Sequence, residues 1–381
     1  VSPFLWSDEQ EKPIAHLRVV DTTLGTWAPL LTRILAQYGA DVVKVEPLPS
    51  GDPLREERTT GLFDLLNAGK RSCAIDYSRP EGAALLKELA ADADVFVEAF
   101  PDGRLEAAGL GYAALSEANP DLIYLSLRVF SGKRDGETGG ERTAVASSGC
   151  GEWLLETGAN GAAPVAETLG TLLSALRLMM HLANPARRGM HLVGSLDEAF
   201  RTLWLGRAFD ALRADGAPSE RKAAIGAHRR RDGSRPHSRF YRCRDGQSVA
   251  LEASTPEAWE AFCDAVDRAA WKPRADDPTL VAEVEKMFLD APSTYWETIT
   301  RERHTTLTRV VPWDEHWATT PVRAQLASDP LTWLGLPATR SLTPAPALGS
   351  DTTAVLHGLG LTNRDLATAF QLGILQQPLG G

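Results

Sequence analysis

LRVVDTTLGTWAPLLTRILAQYGADVVKVE, Leu17 to Glu46, decides the fold. It holds a short apolar run, LRVVD (Leu17 to Asp21), then PLLTRILAQYG (Pro29 to Gly39) with apolar residues at helical spacing, then a second run, DVVKVE (Asp41 to Glu46). Short runs rich in β-branched residues read as strands, and the segment between them reads as an amphipathic helix. Strand, helix, strand is the unit of a parallel sheet, because parallel neighbours need a crossover connection.

Outward from this stretch the pattern repeats. SCAIDY (Ser72 to Tyr77) is followed by the helical PEGAALLKELAADA (Pro80 to Ala93), then DVFVEAF (Asp94 to Phe100) and DLIYLSL (Asp121 to Leu127). Pro80 falls in a first helical turn, where its missing N–H costs nothing. The spacing predicts a doubly wound α/β domain, its parallel sheet joined by right-handed crossovers and covered by helices on both faces. Composition then shifts: ERKAAIGAHRRRDGSRPHSR (Glu220 to Arg239) is basic, turn-rich and without period, a linker or mobile loop over 220–239. FYRCRDGQSVALEAS (Phe240 to Ser254) predicts a hairpin turning at Asp245-Gly246, and it opens a smaller α+β region running to about residue 321.

The bulk numbers exclude several classes. In 381 residues, 43% are hydrophobic and 24% charged, which excludes wholesale disorder and a membrane bundle. A formal charge of −10 argues against a general nucleic-acid binder, since phosphate contacts need a basic surface. Cys73, Cys150, Cys243 and Cys263 lie far apart without C-x-x-C spacing, so neither a zinc ribbon nor a disulfide framework is expected, and a reduced, cytoplasmic setting is. The longest apolar stretch, Leu169 to Leu182, is interrupted by Arg177 and His181 and is too short to span a bilayer. The first residues, VSPFLWSDEQEKP, lack the features of a secretory signal. No phosphate-binding G-x-x-x-x-G-K-[ST] loop, no G-x-G-x-x-G after the first strand, no zinc-binding histidine spacing and no G-x-S-x-G elbow occur; DTTLGTWAP stands where a dinucleotide fingerprint would. No metal site is expected, and His181 is expected to be a core histidine.

PVAETLGTLLSAL, Pro164 to Leu176, sets one carboxylate, Glu167, at the start of a long apolar helix. Position alone makes it a helix-start acid, favoured by unpaired N–H groups and the positive end of the helix dipole.

A wider set of stretches resembles the class III CoA-transferase family, also called CaiB/BaiF. They are LLTRILAQYGADVVKVEPLPSGDPLR, NAGKRSCAIDYSRPEG, ADVFVEAF, LEAAGLGYAALSEANPDLIYLSL and APALGSDTTAVLHGLGLTNRDLATAFQLGIL, in family order along nearly the whole chain. The resemblance implies a Rossmann-like large domain begun by residues 1–219, a small domain at 240–321, a segment at 322–381 returning to the large domain, and an interlocked dimer. It also implies covalent chemistry, in which a carboxylate attacks an acyl-CoA thioester and the enzyme passes through an anhydride and a CoA thioester. CoA enters as a substrate, and no permanently bound cofactor is expected.

Laid on the family pattern, Glu167 takes the place of the nucleophilic aspartate and Thr171 that of a glycine four residues later, with Gly170 one position early. The longer side chain shifts the carboxylate by about one C–C bond, and a misplacement near 1 Å is costly to covalent catalysis. Thr171 adds bulk where the thioester approaches. Thr26 and Trp27 stand in the family's first loop, before Ala28 and Pro29; EAFPDG (Glu98 to Gly103) replaces ENFRPG; Ala107 replaces a cation that Arg104, a turn earlier, would supply. Pro47 stands where an arginine is often found. Thr26, Lys70, Arg71 and Arg104 are therefore the expected CoA contacts, with Arg229 to Arg231 as further cations; a structural turn is the alternative for Lys70 and Arg71. Gly139, Gly140 and Glu141 fall where racemases of the family carry a Gly-His-Asp motif, so a second base for racemisation is missing. Two readings stay open: an active CoA-transferase using Glu167 with acyl-CoA and carboxylic acid substrates, and a non-catalytic subunit of the benzylsuccinate CoA-transferase type paired with an aspartate-bearing homologue. An acyl-CoA racemase or acyl-CoA binding protein is weaker. Homodimer or heterodimer, the chain is expected to engage neither nucleic acid nor membrane. Trp27 and Trp153 would line a pocket for a bulky acid, though core packing is the commoner use of either.

Overall fold

The computed structural model describes residues 13–57, 61–134, 136–149, 151, 164–184, 186, 188–203, 205, 235–303, 305–318 and 343–376. The chain divides into two compact units, residues 1–203 with 325–381 and residues 204–324. The basic stretch at 220–234, with Arg229 to Arg231, lies outside the described residues.

The first unit runs β1 (Arg18–Asp21), α1 (Ala28–Gln37), β2 (Asp41–Glu46), α2 (Leu62–Asn67), β3 (Arg71–Ala74), α3 (Pro80–Ala91), β4 (Val95–Glu98), α4 (Arg104–Ala107), α5 (Tyr112–Ala118), β5 (Ile123–Arg128), α6 (Glu141–Ser147), α7 (Val165–Leu182), β6 (Met190–Ser195) and α8 (Leu196–Thr202). The strands pair in the order β3-β2-β1-β4-β5-β6, every pair parallel. This is a doubly wound sheet, the class the sequence predicts, with a strand order that only the structure supplies. Strand order reverses between β1 and β4, so the connections leaving their carboxyl ends go to opposite faces and open a crevice there, where proteins of this class place their sites.

Alternate residues of each strand feed two cores. Val20, Val43, Phe96 and Tyr124 face Leu86 and Leu89 of α3 and Leu115 of α5. Val19, Val42, Val97 and Leu125 face Leu31 and Leu35 of α1 and Ala175 and Leu178 of α7. Both faces being covered is why the strands read as nearly unbroken apolar runs. Burying one such leucine as completely as Leu31 contributes ~2 kcal/mol. Gly170 lets α7 and α8 approach closely: a Cβ there would lie 2.5 Å from Cδ2 of Leu196 and 3.4 Å from its Cα, so the Leu196 side chain would have to move.

The second unit is an antiparallel sheet, β7 (Ser238–Arg242), β8 (Ser248–Glu252) and β9 (Leu307–Arg309), with α9 (Pro256–Ala265), α10 (Leu280–Phe288), α11 (Ser293–Arg301) and α12 (Trp313–Ala318). The β7–β8 turn falls at Asp245-Gly246, as predicted; Gly246 has φ of 76°, and the Asp245 side chain accepts from Gln247 N at 3.2 Å. Its core joins Tyr241, Val249 and Leu251 to Trp259, Phe262, Phe288 and Trp296.

The returning segment adds α13 (Thr352–Gly358) and α14 (Asn363–Gln371) to the first unit. It covers the outer edge of β3: Ser72 N donates to the Asp351 carboxylate at 2.9 Å, Ala74 N to Thr352 Oγ1 at 3.0 Å, and Asp76 N to the Ile374 carbonyl at 2.8 Å. Backbone groups that would otherwise form an open sheet edge are thereby satisfied. Cys73, Cys243 and Cys263 are buried and unpaired, and Cys150 lies outside the described residues. Among the described residues no helix is long and apolar enough to cross a membrane.

Candidate active site

Charges buried at the carboxyl ends of β1 and β2 form a platform. Lys44 pairs with Asp52 at 2.9 Å and donates to the Thr23 carbonyl at 2.7 Å; Lys70 pairs with Asp21 at 3.0 Å; Arg55 grips Glu46 through two bonds of 2.7 Å. Burial pushes the Asp21 carboxyl up, but Lys70, Lys44 and the hydroxyls of Thr23 and Thr32 more than offset this and hold it below its ordinary value. Burial draws the Lys70 ammonium down to about 8 against the pull of Asp21. The platform carries the β1–α1 loop. Gly25 N donates to Asp52 at 3.2 Å, and Lys70 Nζ donates to the Pro29 carbonyl at 3.0 Å, so both ends of the Thr26–Trp27 turn are fixed from below.

The four expected CoA contacts are split two and two: Lys70 and Arg71 are engaged within the scaffold, whereas Arg104 and Thr26 are exposed on the carboxyl side of the sheet. Lys70 spends its three N–H donors on Asp21, the Pro29 carbonyl and Asn67 Oδ1, with no exposed side chain, so it props the scaffold instead of reaching a phosphate. Arg71 starts β3 at the amino end of the sheet, in two bonds of 2.8 and 2.5 Å to Asp41, away from the carboxyl-end crevice. Adjacent residues point to opposite faces of an extended chain, which separates this pair. Arg104 is exposed at the start of α4 on the carboxyl side, its guanidinium 5.0 Å from the Phe100 ring centre. Thr26 is exposed and reaches Glu167.

Glu167 is half-buried in the first turn of α7. The residue at the cap position is Pro164, whose side chain accepts nothing, so the opening amides of α7 need an acceptor from elsewhere. Glu141, the first residue of α6, provides it: Oε1 accepts from Ala166 N at 3.0 Å and Oε2 from Glu167 N at 2.8 Å. In return, the Glu141 main-chain N–H and the Thr26 hydroxyl act on the Glu167 carboxylate, each drawing its pKa down. Two helix starts thus exchange carboxylates. Glu167 does not cap its own helix. Burial raises its pKa first, the Glu141 charge raises it further, and the two donors only moderate the rise. Gly140 leaves the near side open, where a Cβ would come within 3.8 Å of Glu167 Oε1.

Thr171 does not obstruct this opening. It is fully buried, and its hydroxyl is shared between the Glu167 carbonyl at 2.8 Å and the Trp27 carbonyl at 3.3 Å, tying α7 to the β1–α1 loop. Glu141, which caps this helix, is the residue of the site that sequence reasoning overlooks. Its position reads only as the end of a motif that has lost its histidine, and its contact spans 26 residues. Trp153 lies outside the described residues, and among the described residues no cluster of three metal-ligating side chains occurs.

A doubly wound sheet with a half-buried carboxylate at a helix start beside its first loop is an arrangement of the α/β class that places sites at the strands' carboxyl ends. The chain belongs to CoA-transferase family III, whose model matches residues 14–352. It is 44% identical to a succinyl-CoA:mesaconate CoA-transferase of Haloarcula hispanica over 132 residues, 32% of this chain and 33% of that protein. Against the alpha subunit of the succinyl-CoA–L-malate CoA-transferase of Chloroflexus aurantiacus it is 28% identical over 299 residues, 73% of this chain and 66% of that subunit. The beta subunit matches at 30% over 271 residues, 67% of this chain and 65% of that subunit. The matched stretch is therefore about a third to two thirds of these relatives' length. Rv3272 of Mycobacterium tuberculosis shares the fold, with a TM-score of 0.73 at 20% identity over 90% of this chain and 99% of that chain. So does a CaiB/BaiF family protein of Brucella suis, with a TM-score of 0.69 at 20% identity over 92% of this chain and 100% of that chain.

Proposed function

We propose that this chain moves CoA between an acyl-CoA and a carboxylic acid with Glu167 as the nucleophile. A carboxylate oxygen of Glu167 attacks the thioester carbonyl and the CoA thiolate leaves, giving a mixed anhydride. The thiolate then attacks the Glu167 carbonyl, releasing the donor acid and leaving a glutamyl-CoA thioester. The acceptor carboxylate attacks that thioester, and the thiolate released attacks the acceptor's acyl carbonyl, which yields the new acyl-CoA and regenerates Glu167. The observation that carries this reading is that Glu141, not Glu167, satisfies the opening amides of α7. A carboxylate made more basic by burial and a neighbouring charge is also a stronger nucleophile once ionised. The relatives that act on succinyl-CoA make it the first donor to try.

A homologous partner subunit is the second reading. Two relatives are the alpha and beta subunits of one enzyme, and α7 leaves Leu176 and Met180 exposed, beside Met190 and Val193 of β6. Racemisation finds less support, since Gly140 brings no base to the Glu167 carboxylate.

The test is exchange of labelled carboxylic acids into succinyl-CoA by the purified chain. Exchange in wild type that Glu167→Gln abolishes supports the proposal. Exchange that survives in Glu167→Gln, or that appears only when an aspartate-bearing homologue is added, contradicts Glu167 as nucleophile and favours the subunit reading.

A further inference from the structure

We propose that Glu141 is a positioning residue for Glu167, a clamp whose side chain occupies the opening amides of α7, Glu167 N among them, and so leaves the Glu167 carboxylate unbound by its own helix. This rests on the reading of Glu167 as the acyl-accepting group.

A glutamate in the first turn of a helix has two habits. It reaches back to the N–H of the capping residue, or it folds onto the free amides of its own turn. Both are blocked here. Pro164 has no N–H to offer, and the amides of Ala166 and Glu167 are already bound to Glu141. With its home partners taken, the Glu167 carboxylate is left to groups outside its own helix, and the Glu141 amide and the Thr26 hydroxyl are the ones that lower its pKa. Gly140 N donates to Thr143 Oγ1 at 2.9 Å, which fixes the turn that delivers Glu141.

Three helices pack on α7, and each carries charge; on α1 it is the buried Arg33, which donates to the Leu65 carbonyl at 3.2 Å. On α6 the charged groups are Glu141 and the exposed Arg142; on α8 they are Asp197, paired with Arg201 at 2.7 Å, and the exposed Glu198. The β1–α1 loop brings only Thr26. Of these charges, Glu141 is the one that acts on Glu167, and it acts to keep the proton on.

The experiment uses the 381-residue chain and two variants. Glu141→Gln keeps an acceptor oxygen and the main-chain N–H but removes the charge; Glu141→Ala removes the side-chain clamp. Labelling of Glu167 by a water-soluble carbodiimide, read by peptide mass spectrometry across pH, reports its protonation without any acyl-CoA. The labelling midpoint should move to lower pH in Glu141→Gln. In Glu141→Ala, kcat for CoA exchange should fall about 100-fold, the loss expected for an angstrom of misplacement, with KM for acyl-CoA within about twofold. An unchanged midpoint in Glu141→Gln, whose fold is checked by its thermal melt, overturns the proposal. So does an undiminished kcat in Glu141→Ala. A shifted midpoint in a chain that exchanges no CoA leaves the clamp standing and removes the nucleophile reading instead.

Discussion

Lys70→Met separates a scaffold lysine from a cofactor-binding one. The ammonium has no exposed surface and makes three hydrogen bonds of 2.9 to 3.0 Å, to Asp21, the Pro29 carbonyl and Asn67. Methionine fills most of the same volume, so little of the loss comes from a cavity. What remains is Asp21, fully buried, compensated by the Thr23 N–H at 2.9 Å, the Thr23 and Thr32 hydroxyls and the more distant Lys44. Removing one partner of a buried pair costs about 3 to 5 kcal/mol, and the retained hydroxyls and Lys44 place this case near the lower end, at ~3 kcal/mol. The Pro29 carbonyl loses its anchor too, so the turn carrying Thr26 loosens and kcat should drop along with stability. Urea unfolding read by tryptophan fluorescence gives the first quantity, and initial rates of CoA exchange give the second. A Lys70→Met chain within about 0.5 kcal/mol of wild type, with KM for acyl-CoA raised more than about tenfold, would refute the reasoning and return Lys70 to the CoA site.

Glu167→Asp draws the carboxylate back by about one C–C bond, away from the Thr26 hydroxyl and the Glu141 amide, and should lower kcat about 100-fold; an equal or faster enzyme would show that the glutamate's reach is irrelevant. The exchange rate should rise with pH through the raised pKa of Glu167, because only the ionised carboxylate attacks, and a rate that is flat from pH 4 to 7 contradicts this. Asp21 and Glu46 are both held below their ordinary values, so the unfolded chain takes up protons first as pH falls; the stability they contribute is present above the unfolded values and lost as pH drops through the folded ones. Acid unfolding of Asp21→Asn should therefore be shallower than that of wild type in urea titrations. Ending the chain at residue 342 uncovers the outer edge of β3, and size-exclusion chromatography should show larger species than the 381-residue chain forms; an unchanged profile would contradict the edge-covering role.

The alternation of strand and helix was written plainly in the apolar runs, since both sheet faces are covered and each run stays apolar throughout. Strand order was not: nothing local in DVFVEAF says that β4 lies against β1 and not β3. Lys70 and Arg71 looked alike as neighbouring cations, yet one is spent on buried Asp21 and the other on Asp41 at the far end of the sheet. The platform of Asp21, Lys44, Glu46, Asp52 and Arg55 was equally hidden, because each charge reads as a surface residue until its partner is known. Glu167 could be placed from its helix, but whether its carboxylate was free depended on Glu141, which no helical spacing connects to it.

The central claim is that Glu167 itself carries the acyl or CoA group during turnover. Hydroxylamine added to the chain during exchange with succinyl-CoA captures such a group as a hydroxamate, which peptide mass spectrometry assigns to a residue. The account predicts a hydroxamate at Glu167 that requires the thioester and disappears in Glu167→Gln. An unmodified Glu167 in a chain that is exchanging CoA would contradict it.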